Sequence, residues 1–271
     1  NTARNGTGSS ATTFTGPDIF VIQNGHSMTT ANALSLTHAD SLLQIESGGA
    51  LTVDTSNVSV MGAQIDSGGT LTMNTGRTLT VTNGSRTPDV TVSGTITNAG
   101  TVTTTGTLAF NNGGKYQHNY TTTNGTVPTA TWNTGSTVEF IGYTTNSTLP
   151  SGLVQAFSNF TWNCPSQTSN MNMSGKLSTV NGNLTIITTG TGSLRLAGTS
   201  SPTLTIGGNL TMNSGTFIFS TTTGSPIVNV NGNVLLNGGT LQPTSGTGIP
   251  VFNIKGNWTN NGGTFTPGTG T

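Results

Sequence analysis

The chain has 271 residues, enough for one or two ordinary domains. Only 5% of them are Asp, Glu, Lys or Arg, against roughly 25% in an average soluble protein. Seven basic residues cancel seven acidic ones, which leaves no basic field to draw nucleic acid or an anionic membrane, and no apolar run approaches the ~20 residues that span a bilayer.

Abundant Gly, Ser and Asn with little charge is also the composition of disordered chains. Here the apolar residues keep a regular alternation, and Thr with Val, Ile and Leu favours strands, so the expectation is an ordered all-β fold. Residues 1–16 are polar and Gly-rich and read as a flexible lead-in. No signal peptide is visible, so Asn1 is a mature N-terminus or the boundary of a longer sequence. Asp18-Ile19-Phe20-Val21-Ile22 then reads as a first buried strand closed by the turn Asn24-Gly25. Residues 17–37 are expected to cap the N-terminal end of a stack.

Short repeats fill 38–110. Glu46-Ser47-Gly48-Gly49-Ala50-Leu51-Thr52-Val53 returns 20 residues on as Asp66-Ser67-Gly68-Gly69-Thr70-Leu71-Thr72-Met73. Thr78-Leu79-Thr80-Val81, Gly94-Thr95-Ile96-Thr97, Gly100-Thr101-Val102-Thr103 and Gly106-Thr107-Leu108-Ala109-Phe110 continue the theme. Leu51, Val53, Leu71 and Met73 fall on one face of such strands and Thr52 and Thr72 on the other.

Residues 111–175 break the rhythm. Tyr116, Tyr120, Trp132, Phe140, Tyr143, Phe157, Phe160 and Trp162 place half of the aromatic residues there, with Pro128, Pro150 and Pro165. The stretch reads as wider turns with protruding loops. Cys164 is the one cysteine, so no internal disulfide framework exists; set among apolar residues, it reads as a buried, inert thiol.

Residues 176–271 carry the clearest period. Gly182-Asn183-Leu184, Gly208-Asn209-Leu210, Gly232-Asn233-Val234 and Gly256-Asn257-Trp258 are spaced by 26, 24 and 24 residues. Gly215-Thr216-Phe217, Gly239-Thr240-Leu241 and Gly263-Thr264-Phe265 run in phase, 24 apart. Two markers locked at one period in this range indicate a solenoid. The C-terminus stops just after a marker with no polar cap, as a cut through a longer array would.

Strands this short cannot form independent hairpins or sandwiches, but they suit the sides of a coil. A single rung buries about four apolar side chains at ~1.5–3 kcal/mol each. Ordering its backbone costs more, at about 1–2 kcal/mol per residue, so only stacked rungs fold. The fold class expected is a right-handed parallel β-helix, a single β-solenoid over 17–271, with roughly 11–12 rungs of 20–26 residues each. Asn183, Asn209, Asn233 and Asn257 then share one corner. A structural ladder is expected there, in which amides stack, cap backbone groups or accept a left-handed conformation.

The chain carries few residues in patterns that support chemistry. The acids Asp18, Asp40, Glu46, Asp54, Asp66, Asp89 and Glu139 are dispersed, and Glu46 and Asp66 are equivalent turn positions rather than a glycosidase pair. His26, His38 and His118 lack metal-ligand spacing. No nucleophile elbow, Walker loop, dinucleotide fingerprint or calcium nonapeptide occurs, so neither cofactor nor metal is expected. Two features remain. Tyr116, Tyr120, Trp132 and Tyr143 either plug larger rungs or offer ring faces to glycans. Outward Thr rows, including Thr52, Thr72 and Thr80, are of the kind that binds ice or crystalline polymers, but their uneven spacing in the sequence argues against a regular lattice.

Gly182-Asn183-Leu184-Thr185-Ile186, Gly208-Asn209-Leu210-Thr211-Met212 and Gly256-Asn257-Trp258-Thr259 through Phe265 resemble the β-solenoid repeat regions of large secreted surface proteins of Bacteroidota-type bacteria. So do Gly135-Ser136-Thr137-Val138-Glu139-Phe140-Ile141-Gly142, Asn159-Phe160-Thr161 and the opening segment Asp18 to His26. The resemblance covers about 17–271. It implies export by the type IX route, although the C-terminal sorting domain of that route is not in this sequence. It implies adhesion or surface display and transfers no catalytic residue.

The function expected is a non-enzymatic extracellular or cell-surface rod, structural or adhesive, that displays a binding surface to glycans or other cell-surface polymers. The alternative is a subunit of a filament built by head-to-tail self-association of rung ends. A polysaccharide-active β-helix enzyme is the third reading.

Overall fold

The computed structural model describes residues 14–268. The lead-in expected over 1–16 lies mostly outside them. The described residues are all-β, without helices, and form parallel sheets stacked as a β-solenoid of about 11 turns. The described residues divide into two compact units, one of 14–95 with 100–109, the other of 96–99 with 110–268.

In the first unit three parallel faces alternate along the chain. The first face joins Ile19–Ile22, Leu42–Ile45, Ala63–Ile65 and Val90–Val92. The second joins Ser27–Thr29, Ala50–Val53 and Thr70–Met73. The third joins Leu34–Leu36, Val58–Val60, Thr78–Val81 and Thr101–Thr104. Residues 17–37, expected to cap the stack, hold three strands, one on each face.

The alternation read from the sequence is the alternation of burial. Leu51 and Val53 are buried and Leu71 and Met73 lie beneath them in register, while Thr52 and Thr72 face outward. The Ser-Gly-Gly repeat has two separate causes. Gly48 and Gly68 adopt φ of 76° and 85°, a left-handed conformation that costs other residues strain. Gly49 and Gly69 adopt no such angle, but a Cβ on them would meet the Ile22 and Ile45 carbonyl oxygens of the preceding turn at 2.6 and 2.7 Å.

The second unit also has three faces. The longest joins Lys115–His118, Thr137–Phe140, Asn159–Asn163, Leu184–Thr188, Leu210–Met212, Val234–Leu236 and Trp258–Asn260. Another runs from Ala156–Phe157 through Thr179–Val180, Thr203–Ile206 and Ile227–Val230 to Val251–Ile254. The third runs from Asn170–Asn172 through Ser193–Ala197, Thr216–Ser220 and Thr240–Thr244 to Thr264–Phe265.

Two inward columns on the longest face show how the core changes along the coil. One is Tyr116, Val138, Phe160, Leu184, Leu210 and Val234; the other is His118, Phe140, Trp162, Ile186, Met212 and Leu236; their last partners, Trp258 and Asn260, are exposed. Rings give way to aliphatic side chains at Leu184 and Ile186. The aromatic turns are not longer in chain: Tyr116 to Val138 and Val138 to Phe160 are steps of 22 residues, against 24–26 afterwards. The stretch read from the sequence as wider turns with protruding loops holds its rings inside the coil.

Candidate functional site

Outward side chains meet from turn to turn, and the Gly-Asn corner is the most regular case. The backbone N–H of Asn183 donates to Oδ1 of Asn159 at 2.9 Å. Asn209 donates in the same way to Asn183, Asn233 to Asn209 and Asn257 to Asn233, each at 2.8 Å. The ladder is side chain to backbone, one turn back, rather than amide stacked on amide. It explains both residues of the motif. Asn supplies a short carbonyl that reaches the N–H one turn on. Gly precedes it because a Cβ on Gly182, Gly208, Gly232 or Gly256 would meet that same oxygen at 2.5, 2.4, 2.5 and 2.5 Å. Asn159, which carries the motif's geometry without its Gly, starts the series; its Nδ2 donates to the Ser136 carbonyl at 3.0 Å.

Amide-to-amide ladders exist elsewhere. Asn261 Nδ2 donates to Asn237 Oδ1 at 2.8 Å, and Asn237 to Asn213 at 3.0 Å. Asn253 donates to Asn229 at 2.9 Å. The sequence carries the signal for the first of these, since Asn213, Asn237 and Asn261 sit 24 apart in phase with the Gly-Asn motif.

The four rings singled out as glycan contacts lie inside the coil. Tyr116 and Tyr143 are 0% and 1% exposed, Trp132 and Tyr120 7% and 8%. Phe110 stacks on Trp132 at a centroid distance of 4.5 Å, and Phe140 on Trp162 at 4.9 Å. With both faces of such rings covered by protein, none is free to stack on a sugar, and of the two readings left open, plugging the rungs is the one the packing supports.

Around Tyr116 the core is polar. Asn98 Nδ2 donates to the Tyr116 hydroxyl at 2.9 Å and to that of Tyr120 at 3.3 Å. Tyr116 Oη in turn lies 3.2 Å from the Thr126 carbonyl and 3.4 Å from His118 Nδ1. His118 Nε2 is 2.8 Å from the Asn124 carbonyl, to which the Tyr143 hydroxyl also donates at 2.6 Å. A carbonyl only accepts, so the imidazole proton sits on Nε2 and Nδ1 is the acceptor. Burial pushes His118 down to about 4, against which the Asn124 carbonyl pulls it upward. Burial holds the Tyr116, Tyr143 and Tyr120 hydroxyls above their usual range. Cys164, fully buried nearby, is pushed up to about 12 by the same cause. The cluster is thus neutral, hydrogen-bonded and closed, the arrangement that makes buried polar groups tolerable. The sequence marks Tyr116, Tyr120 and Tyr143 of this cluster through their aromatic clustering, whereas Asn98, Asn124 and Thr126 carry no signal that they meet them.

The acidic side chains are engaged locally. Asp66 accepts from Gln44 Nε2 at 3.1 Å and Gln64 Nε2 at 2.6 Å. Glu139 lies 3.2 Å from Lys115 Nζ and accepts from Gln117 Nε2 at 3.0 Å. Asp89 is buried in the first unit and accepts from the N–H groups of Gly84 and Thr107, both at 2.7 Å, and from Thr107 Oγ1 at 2.8 Å. Among the described residues no three His, Cys, Asp or Glu side chains gather as a metal site requires.

Among the described residues the surface carries, between a few charged side chains, uncharged columns in register: Asn at the Gly-Asn corner, and Ser, Thr and some amides along the strands. Searches of family models, curated proteins and solved structures give no match to this chain.

Proposed function

We propose that the protein is a non-enzymatic structural or adhesive rod that works outside the cell and displays a binding surface. The observation that carries this reading is the division of labour within each turn. Inward positions hold the coil together, while outward positions repeat in register as Asn, Thr and Ser columns that the core does not need. A coil built this way can carry a long uniform surface at little cost in charge or catalytic machinery. The carboxylates support the same reading, since Asp66, Asp89 and Glu139 are each spent on hydrogen bonds that join neighbouring segments. Assignment to the secreted surface proteins of Bacteroidota, with type IX export, is proposed on the repeat motifs alone.

The test is binding by the purified protein immobilised on beads, scored against bacterial cells, host cells and isolated cell-wall polymers. Saturable retention of any of these supports the adhesive reading. No retention, with turnover of a polysaccharide panel that disappears on changing Asp66 or Glu139, overturns it in favour of an enzyme. Electron microscopy of the same preparation separates a displayed rod from a self-assembling filament: filaments that lengthen with protein concentration overturn display in favour of end-to-end assembly.

A further inference from the structure

The outward Thr rows looked irregular in sequence because their residue spacing varies. On the third face of the first unit that objection disappears. Ser35 pairs with Ser59, Ser59 with Thr80 and Thr80 with Thr103, at chain steps of 24, 21 and 23. The differing lengths are absorbed at the corners, and the ladder keeps the hydroxyls in one straight column. Beside it, Thr78 pairs with Thr101. The two neighbouring strands therefore present Thr78-x-Thr80 against Thr101-x-Thr103. Parallel strands lie about 4.8 Å apart and alternate residues about 6.6 Å along the strand, so Thr78, Thr80, Thr101 and Thr103 stand at the corners of one cell of a rectangular net, and Ser59 and Ser35 extend one side of it.

Three properties of this net point to one partner. Strands Leu34–Leu36, Val58–Val60, Thr78–Val81 and Thr101–Thr104 contain no Asp, Glu, Lys or Arg, so the face matches an uncharged surface. Arg77, which borders it, is tied to the Thr55 carbonyl one turn back at 2.6 Å. Next, the side-chain hydroxyls of Ser35, Ser59, Thr78, Thr80, Thr101 and Thr103 make no hydrogen bond within the protein, whereas that of Thr82, one step further on, donates to Val60 at 3.3 Å. Last, Thr is stiff at χ1, so hydroxyl and methyl are already ordered before contact, and little side-chain entropy is lost on binding. A sugar polymer would be met by exposed rings, and these four strands carry none. A rectangular net of ordered hydroxyls and methyls with these two repeats lies close to the oxygen rows of hexagonal ice.

We propose that the face formed by Ser35, Ser59, Thr78, Thr80, Thr101 and Thr103 binds the surface of ice. Its test is separate from that of cell adhesion, and either can fail alone. The protein is frozen slowly into a growing ice hemisphere, and its share in the ice is compared with that in the remaining liquid; grain growth is followed in parallel in thin frozen films. The wild type is expected to concentrate in the ice and to slow grain growth at micromolar concentration. The double variant T80K/T103K is expected to lose at least tenfold in both, while Gln44→Lys on the first face changes neither. If the lysine variant fails to fold, T80V/T103V keeps shape and strand propensity and is expected to lose most of the effect through the missing hydroxyls. Exclusion of the wild type from ice, like an inert protein of the same size, overturns the proposal. So does full activity in both double variants. Retention on crystalline cellulose or chitin, lost in T80K/T103K and without any partition into ice, overturns it in favour of a polymer surface.

Discussion

The backbone N–H of Asn233 donates to Oδ1 of Asn209 at 2.8 Å, and the Gly232 that precedes it leaves room for that oxygen. A Cβ at position 232 would sit 2.5 Å from Oδ1 of Asn209 and 2.6 Å from the Gly208 carbonyl. Gly232→Ala is therefore expected to destabilise the second unit by about 1–3 kcal/mol, as overpacking of a close contact does. Asn209→Ala removes one partly exposed hydrogen bond and is expected to cost about 1 kcal/mol. Urea midpoints of the two variants, read by tryptophan fluorescence, should rank in that order. Equal midpoints would mean that the Gly is not there for clearance.

His118 makes the second unit sensitive to acid. It is neutral and fully buried when folded, pushed down to about 4, while its unfolded value is near the ordinary ~6.5. Its contribution is complete above the unfolded value, where neither state is charged, and is lost as pH falls toward the folded value, because only the unfolded state takes up a proton. Between pH 7 and pH 4 the expected loss is roughly 3 kcal/mol at most. Trp132, Trp162 and Trp258 all lie in this unit, so fluorescence-monitored urea unfolding reports it directly. His118→Gln should flatten the dependence in that window; an unchanged slope would show that other groups carry it.

In the first unit Asp89 acts with the opposite chemistry. Burial pushes its carboxyl upward, but the Thr107 and Gly84 N–H groups and the Thr107 hydroxyl together hold it below the usual range. Its contribution is present above the ordinary carboxylate value and is lost as pH falls through the lower folded value. Asp89→Asn points an NH2 group at N–H donors and should lower stability by about 1–3 kcal/mol at neutral pH. Thermal melts by circular dichroism between pH 7 and pH 3 should show a lower melting temperature and a weaker acid limb than the wild type.

Cys164 has no accessible surface and its thiol is pushed up to about 12 by burial. A thiol reagent at pH 8 should leave it unmodified in the native protein for hours and label it at once in denaturant, because thiolate and access are both lacking. Rapid native labelling would show that this part of the core opens.

The sequence by itself determined the secondary structure class, the coil and the phase of its turns. Apolar residues at every second position must face one way in a strand, as Leu51 and Val53 do. Runs of three or four such residues separated by Gly cannot close a core except by stacking. The Gly-Asn period marked one corner for the same reason it exists, since each Asn must meet the next turn at a fixed place. Tertiary structure decided what spacing along the chain leaves open. Thr80 and Thr103 stand in one column although the sequence steps around them differ, because backbone hydrogen bonds fix the register and the corners absorb the extra residues. The sequence offers Tyr116, Tyr120, Trp132 and Tyr143 first as rings that plug the rungs and second as surface rings, and spacing alone does not choose between them. Whether Asn98, Thr126 and Asn124 come round to meet their polar ends depends on residues up to a full turn away, and only the closed coil brings those together.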